Sequence, residues 1–146
     1  MQTLAMFGPL DTILAPIIPF VVLGLLVANM VTRVLAHRSY VKQNNEGGAE
    51  SITRSTVHTA TTFLLILATF YYLTVDSYAG LVSGVLILGM VVSDFFEFEA
   101  RLVEARREVP LDTPKSAIAA SVLALLYVAF QTLFFIVEPF WQAIVG

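Results

Sequence analysis

The chain reads as an all-α protein, a four-helix transmembrane bundle, and three observations predict it. Of its 146 residues, 58% are hydrophobic and 13% charged, at a mean hydropathy of +0.82. That leaves too little polar surface to cover a soluble core. Four apolar stretches reach the roughly 20 residues that a helix needs to cross a hydrocarbon layer about 30 Å thick. The basic residues occupy only two of the intervals around those stretches.

The first span is read from Ile13 to Thr32 and the second from Thr56 to Val75. The third runs from about Tyr78 to Phe96 and the fourth from about Ala117 to Val137. Helices satisfy their own backbone hydrogen bonds in lipid, and the alternation that a membrane barrel requires is missing. Pro16 and Pro19 fall in the first turns of the first span, where a missing N–H costs least, and Pro19 is placed to bend it. The second span is the weakest by hydropathy, because its start is rich in threonine. The dozen residues before the first span read as an interfacial or disordered lead-in. They carry no Lys or Arg, so the basic region of a secretory signal is missing and the first span is expected to belong to the mature protein.

Orientation follows from charge. Arg33, Arg38, Lys42 and Arg54 lie between the first and second spans, and Arg101, Arg106, Arg107 and Lys115 between the third and fourth. The positive-inside rule then puts both termini outside the cytoplasm and both basic loops within it. Those loops read as cytoplasmic helical extensions of the first and third spans. The first continues through RVLAHRSYVKQ to a break at Gly47 and Gly48. The third continues through DFFEFEARLVEARREV to Pro110, with Thr113 and Pro114 as cap and first position of the last helix. Asp76 and Ser77 make a very short outer link. No repeat or second domain is visible, so residues 1–146 form one membrane domain.

Few residues carry chemistry. With no cysteine, disulfides and thiolate metal sites are excluded. The phosphate-binding glycine loop, HExxH and the serine elbow are missing too, so neither a catalytic residue nor a metal site is expected. His37 and His58 lie nearly equidistant from the break at Gly47 and Gly48, which would let two facing helices present them at one height as haem ligands. His37 is flanked by Arg33 and Arg38, which favours a solvated histidine near the headgroups. Asn29 and Arg33 share a helical face with His37, and Asp94 and Glu97 are candidate partners for Arg33, either as an ion pair at the rim or as the mouth of an ion pathway.

The middle of each span lacks charge, and Thr69, Tyr72, Ser83, Tyr127 and Gln131 are available to bond one another between helices. Gly80 and Gly84 have GxxxG spacing, and Ala117, Ala120, Ser121 and Ala124 form a small-residue stripe. Either allows close packing within the bundle or against a partner. Glu97, Arg101, Glu104 and Glu108 mix charges on one face, unlike the concentrated basic patch of a nucleic-acid binder.

The segments AHRSYVKQ, DFFEFEARLVEARR and PKSAIAASVLALLYVAFQTLFF, read together, resemble a family of small uncharacterised multi-pass membrane proteins of halophilic archaea. The resemblance covers nearly the whole chain and implies a plasma-membrane location. It brings no activity and no site residues. The expected function is a non-enzymatic accessory or structural subunit of a membrane complex without a cofactor, whose partners are the bilayer and a membrane protein or further copies of itself. A haem-binding or electron-transfer subunit using His37 and His58 is the first alternative, and a small transporter or channel the second.

Overall fold

A computed structural model describes residues 9–145. A short helix, α1 (Pro9–Leu14), leads into α2 (Ile18–Gly47), and a single 3-10 turn at Ala49–Ser51 follows. Three further helices complete the chain: α3 (Thr56–Val75), α4 (Ser77–Arg106) and α5 (Lys115–Val145). Four of the helices are long and apolar enough to cross a membrane. They pack in a ring in which α2 meets α3 and α5, and α4 meets the same two from the opposite corner.

The described part of the lead-in is thus partly helical, and the first long helix starts at Ile18 instead of Ile13. Pro16 lies in the turn between α1 and α2, while Pro19 falls in the first turn of α2. A proline is tolerated there, since its missing N–H would have had no partner in the helix.

Local chemistry fixes the remaining ends. Gly48, with φ 75° and ψ −170°, occupies a region open essentially to glycine alone, and its N–H caps α2 by donating to the Asn44 carbonyl at 2.9 Å. The Ser55 hydroxyl and the Asp76 carboxylate accept the His58 and Ala79 N–H groups at 3.3 and 3.2 Å, capping α3 and α4. Helix α4 stops at Arg106, short of the expected Pro110, because Glu108 turns left-handed with φ 59°. The last helix begins one residue after Pro114, whose carbonyl accepts its first helical bond from the Ile118 N–H at 3.0 Å.

Two cores form. The larger gathers Val22 and Leu26 of α2, Leu65 and Tyr72 of α3, Ile87 and Met90 of α4, and Ala124 and Val128 of α5. The smaller joins Ala36 and Tyr40 of α2 to Ile52 and to Ala105 of α4, with Phe98, Leu102 and Leu111 against them. Exposed apolar side chains place these cores relative to a bilayer. On α2 they run from Phe20 to Leu35, on α3 from Val57 to Leu73, on α4 from Tyr78 to Phe96 with Val103 farther on, and on α5 from Ile118 to Val145. At about 1.5 Å per residue the belts on α2 and α3 and the unbroken part of that on α4 are roughly 22–27 Å tall, close to the hydrocarbon thickness of a membrane, and the run on α5 is longer. The small core lies past one edge of the belt. The bundle therefore divides into an apolar barrel and a polar-skinned cap, made of the last turns of α2 and α4 and the two connections beside them.

Candidate functional site

The site lies just inside that edge. On α2, Asn29 and Arg33 are one helical turn apart and both buried, at 0% and 3% exposure. Arg33 crosses the ring to α4. Its Nε and Nη2 donate to Asp94 Oδ1 and Oδ2 at 2.8 and 2.7 Å, and Nη2 also donates to Asn29 Oδ1 at 2.8 Å. The side chains of Arg33 and Asp94 are 4% and 15% exposed. A two-point pair is the strongest form of this contact.

The start of α3 completes the cluster. His58 places Nε2 at 3.1 Å from Asp94 Oδ2 and Nδ1 at 2.8 Å from Thr32 Oγ1. Asn29 Nδ2 donates to Thr61 and Thr62 hydroxyls at 3.1 and 2.8 Å, and both hydroxyls donate to the His58 carbonyl at 2.9 Å. Three helices are thereby joined through polar side chains, with Asn29 as the hub between arginine and threonines. Arg33 Nη1 is the one nitrogen of the guanidinium left without a partner.

On the apolar side the network is sealed. Leu26 stands one turn from Asn29, Leu65 one turn from Thr61 and Thr62, and Met90 one turn from Asp94. With Ile87, these residues are 0–1% exposed. On the other side a pocket of about 180 Å³ opens, lined among others by His37, Arg54, His58, Asp94 and Glu97. That volume is small beside the roughly 300–1,000 Å³ of pockets that hold drug-sized ligands.

Glu97, a candidate partner for Arg33, instead serves Arg101 on its own helix. Arg101 Nη1 donates to Glu97 Oε2 at 2.8 Å and Nε to Glu104 Oε1 at 2.5 Å. The other Glu97 oxygen accepts the Ser116 N–H at 3.2 Å, and Glu104 Oε1 accepts the Asp112 N–H at 3.1 Å. Asp112 in turn takes the Thr113 N–H at 2.8 Å, which holds its carboxyl below the usual carboxylate range. Arg101 therefore organises the connection from α4 to α5.

His37 and His58 do line one pocket, but they are not equivalent. Both ring nitrogens of His58 already have partners, so ligation of a haem iron would break one of these bonds. Gly80 and Gly84 also part company. A Cβ on Gly80 would stand 2.4 Å from the Leu73 Cα, whereas one on Gly84 would meet only the Thr69 methyl at 3.7 Å. The close approach is thus between α3 and α4, within the bundle. Ala117, Ser121 and Ala124 are likewise buried in it.

The interhelical bonds expected near mid-span do not form. Thr69 donates to the Leu65 carbonyl of its own helix, and the Ser83 and Tyr127 hydroxyls are buried without partners. Sequence reasoning missed His58, Thr32, Thr61 and Thr62 as members of the Arg33 cluster. The signal was the threonine-rich α3 start, TVHTATT, in which Thr61 and Thr62 share a face with His58.

Among curated proteins and among solved structures, nothing matches the chain. Residues 2–145 match a domain of unknown function, DUF7313, and the chain belongs to that family.

Proposed function

We propose that this protein is a non-enzymatic accessory or structural subunit of a complex in the plasma membrane, with both termini outside and the polar cap in the cytoplasm. One observation carries the reading. The polar side chains of the Arg33 cluster bond chiefly one another, and Leu26, Leu65, Ile87 and Met90, 0–1% exposed, close them off from the rest of the bundle. This supports a fold-holding role for the cluster over catalysis or conduction, since ion and substrate pathways need polar groups nearer mid-bilayer. What remains for recognition is the helix surface and the cap, whose Arg38, Lys42, Arg106 and Arg107 are exposed. The excess of acidic over basic residues, 11 against 8, fits the halophilic source that the sequence resemblance implies.

The test is purification of a tagged form from its own membranes in mild detergent, followed by mass spectrometry of what stays bound. A reproducible stoichiometric membrane protein is the expected result. Recovery alone would overturn the reading. Orientation is tested separately, because a cysteine-free chain accepts single reporters. Gln142→Cys is expected to react with an impermeant maleimide in intact cells, and Lys42→Cys and Arg107→Cys only after permeabilisation. The reverse pattern would invert the topology.

A further inference from the structure

We infer that His58 is a proton-binding site open to one side of the bundle, in which the Thr32 hydroxyl satisfies the imidazole in both of its protonation states. Asp94 is paired at two points with Arg33 and can only accept, so His58 Nε2, 3.1 Å from Oδ2, carries a hydrogen in either state. The exchangeable proton belongs to Nδ1. That nitrogen faces Thr32 Oγ1 at 2.8 Å, and the same hydroxyl lies 3.0 Å from the Asn29 carbonyl.

With neutral imidazole, the Thr32 hydroxyl donates to Nδ1. With imidazolium, Nδ1–H donates to the Thr32 oxygen, whose own hydrogen turns to the Asn29 carbonyl. A rotation about one C–O bond serves both states, and no heavy atom has to move. Thr61, whose hydroxyl donates to the His58 carbonyl at 2.9 Å, lies 3.0 Å from Thr32 Oγ1 and offers the Thr32 hydrogen a second acceptor in the imidazolium state.

Charged groups of both signs face the site. Helix α2 contributes Arg33, His37 and Tyr40, the segment leading into α3 contributes Arg54, and α4 contributes Asp94, Glu97 and Arg101 to the pocket beside His58, while the approach to α5 adds only Pro114. Arg33 is neutralised by Asp94, and Arg101 by Glu97 and Glu104. The imidazolium then shares Asp94 Oδ2 with Arg33. The proton enters and leaves through the pocket, since the fully buried Leu26, Leu65 and Met90 close the opposite side. Such a site reports the acidity of one compartment and does not conduct.

The experiment is nitrogen NMR of the imidazoles in micelles from about pH 5 to 9, the interval in which histidines titrate. The chain has two histidines, and His37→Gln leaves the His58 signals alone. The expected alkaline form is the Nε2–H tautomer with a bare Nδ1, passing to imidazolium on acidification. Thr32→Val takes the partner from Nδ1 in both states, and because the bond made by the charged imidazolium is the stronger it is expected to lower proton affinity, by up to about tenfold, the ~1.4 kcal/mol scale of an unsatisfied donor. Thr32→Ser should restore the wild-type midpoint. An Nδ1–H alkaline tautomer, a single protonation state throughout, or a Thr32→Val midpoint equal to wild type would each overturn the inference. Should Thr32→Val not fold, the wild-type tautomer and titration still decide.

Discussion

Arg33 and Arg101 are both buried, at 3% and 6% exposure, yet one is held across the bundle and the other by its own helix. Asp94, the partner of Arg33, is 61 residues away, whereas Glu97 and Glu104 are four and three residues from Arg101. The difference follows from depth. Arg33 sits inside the edge of the apolar belt with its side chain 4% exposed, so its charge is balanced by a carboxylate from another helix more than by solvent. Arg101 sits past that edge, where its carboxylates keep partial access to water and have bonding capacity left for the backbone of the next connection. One arginine fixes how the helices assemble, and the other fixes how the chain turns.

The largest effect expected from this contrast is that of Asp94→Leu. Leaving Arg33 buried without its counter-charge should cost about 3–5 kcal/mol, the scale of a broken buried pair. Unfolding titration in mixed micelles measures it. Adding Arg33→Met should recover part of the loss, because the lone buried guanidinium is gone, while Asn29 Oδ1 and His58 Nε2 each still lack a partner. Arg101→Met should cost less than Asp94→Leu, since Glu97 and Glu104, 15% and 24% exposed, can turn to water. Equal losses for the two would erase the distinction between inner and outer arginine.

A second break tests whether tight packing is local to one junction. Gly80→Ala forces a methyl group against the Leu73 backbone, which cannot yield as a side chain tip would. Overpacking of this kind costs about 1–3 kcal/mol, and the α3–α4 hairpin should separate. Gly84→Ala should stay within about 0.5 kcal/mol, as ordinary substitutions do away from such features. Thermal melts of the two variants side by side give the comparison its control, because sequence spacing treats both glycines alike.

That pair shows where legibility ended. Four helices, their approximate spans and the break at Gly48 follow from hydropathy, length and glycine chemistry, which are local properties. The pairing of Arg33 with Asp94 was foreseen as one of two options, because a buried guanidinium has few carboxylates to choose from. Three residues put Asp94 and Glu97 on one side of α4 but about a turn apart along its axis, so the choice between them depended on the height at which α4 stands against α2. The role of His58 was hidden for the same reason. Its neighbours Thr32 and Asp94 come from two other helices, and periodicity along one helix says nothing about them. Likewise, the expected mid-span hydroxyl bonds failed because Ser83 and Tyr127 face positions that spacing alone does not fix.

The smallest expected effect comes from a third arginine at the same end of the bundle. Arg54 is 41% exposed in its side chain, lies 4.1 Å from the Phe98 ring centroid and reaches Glu99 at 3.7 Å. Here the solvent supplies most of the solvation that Arg33 takes from Asp94, so what holds the side chain is the ring face. Arg54→Gln should cost about 0.5–1 kcal/mol, the range for an exposed cation over an aromatic ring, and Phe98→Leu should cost more because that ring also packs on Tyr40 at 5.0 Å. Glu99→Gln should be nearly silent, since exposed ion pairs contribute between nothing and about 1 kcal/mol. If Glu99→Gln instead matched Arg54→Gln, the carboxylate and not the ring would hold the guanidinium. The three arginines would then form a single series of ion pairs graded by depth, in place of three different solutions to the same charge.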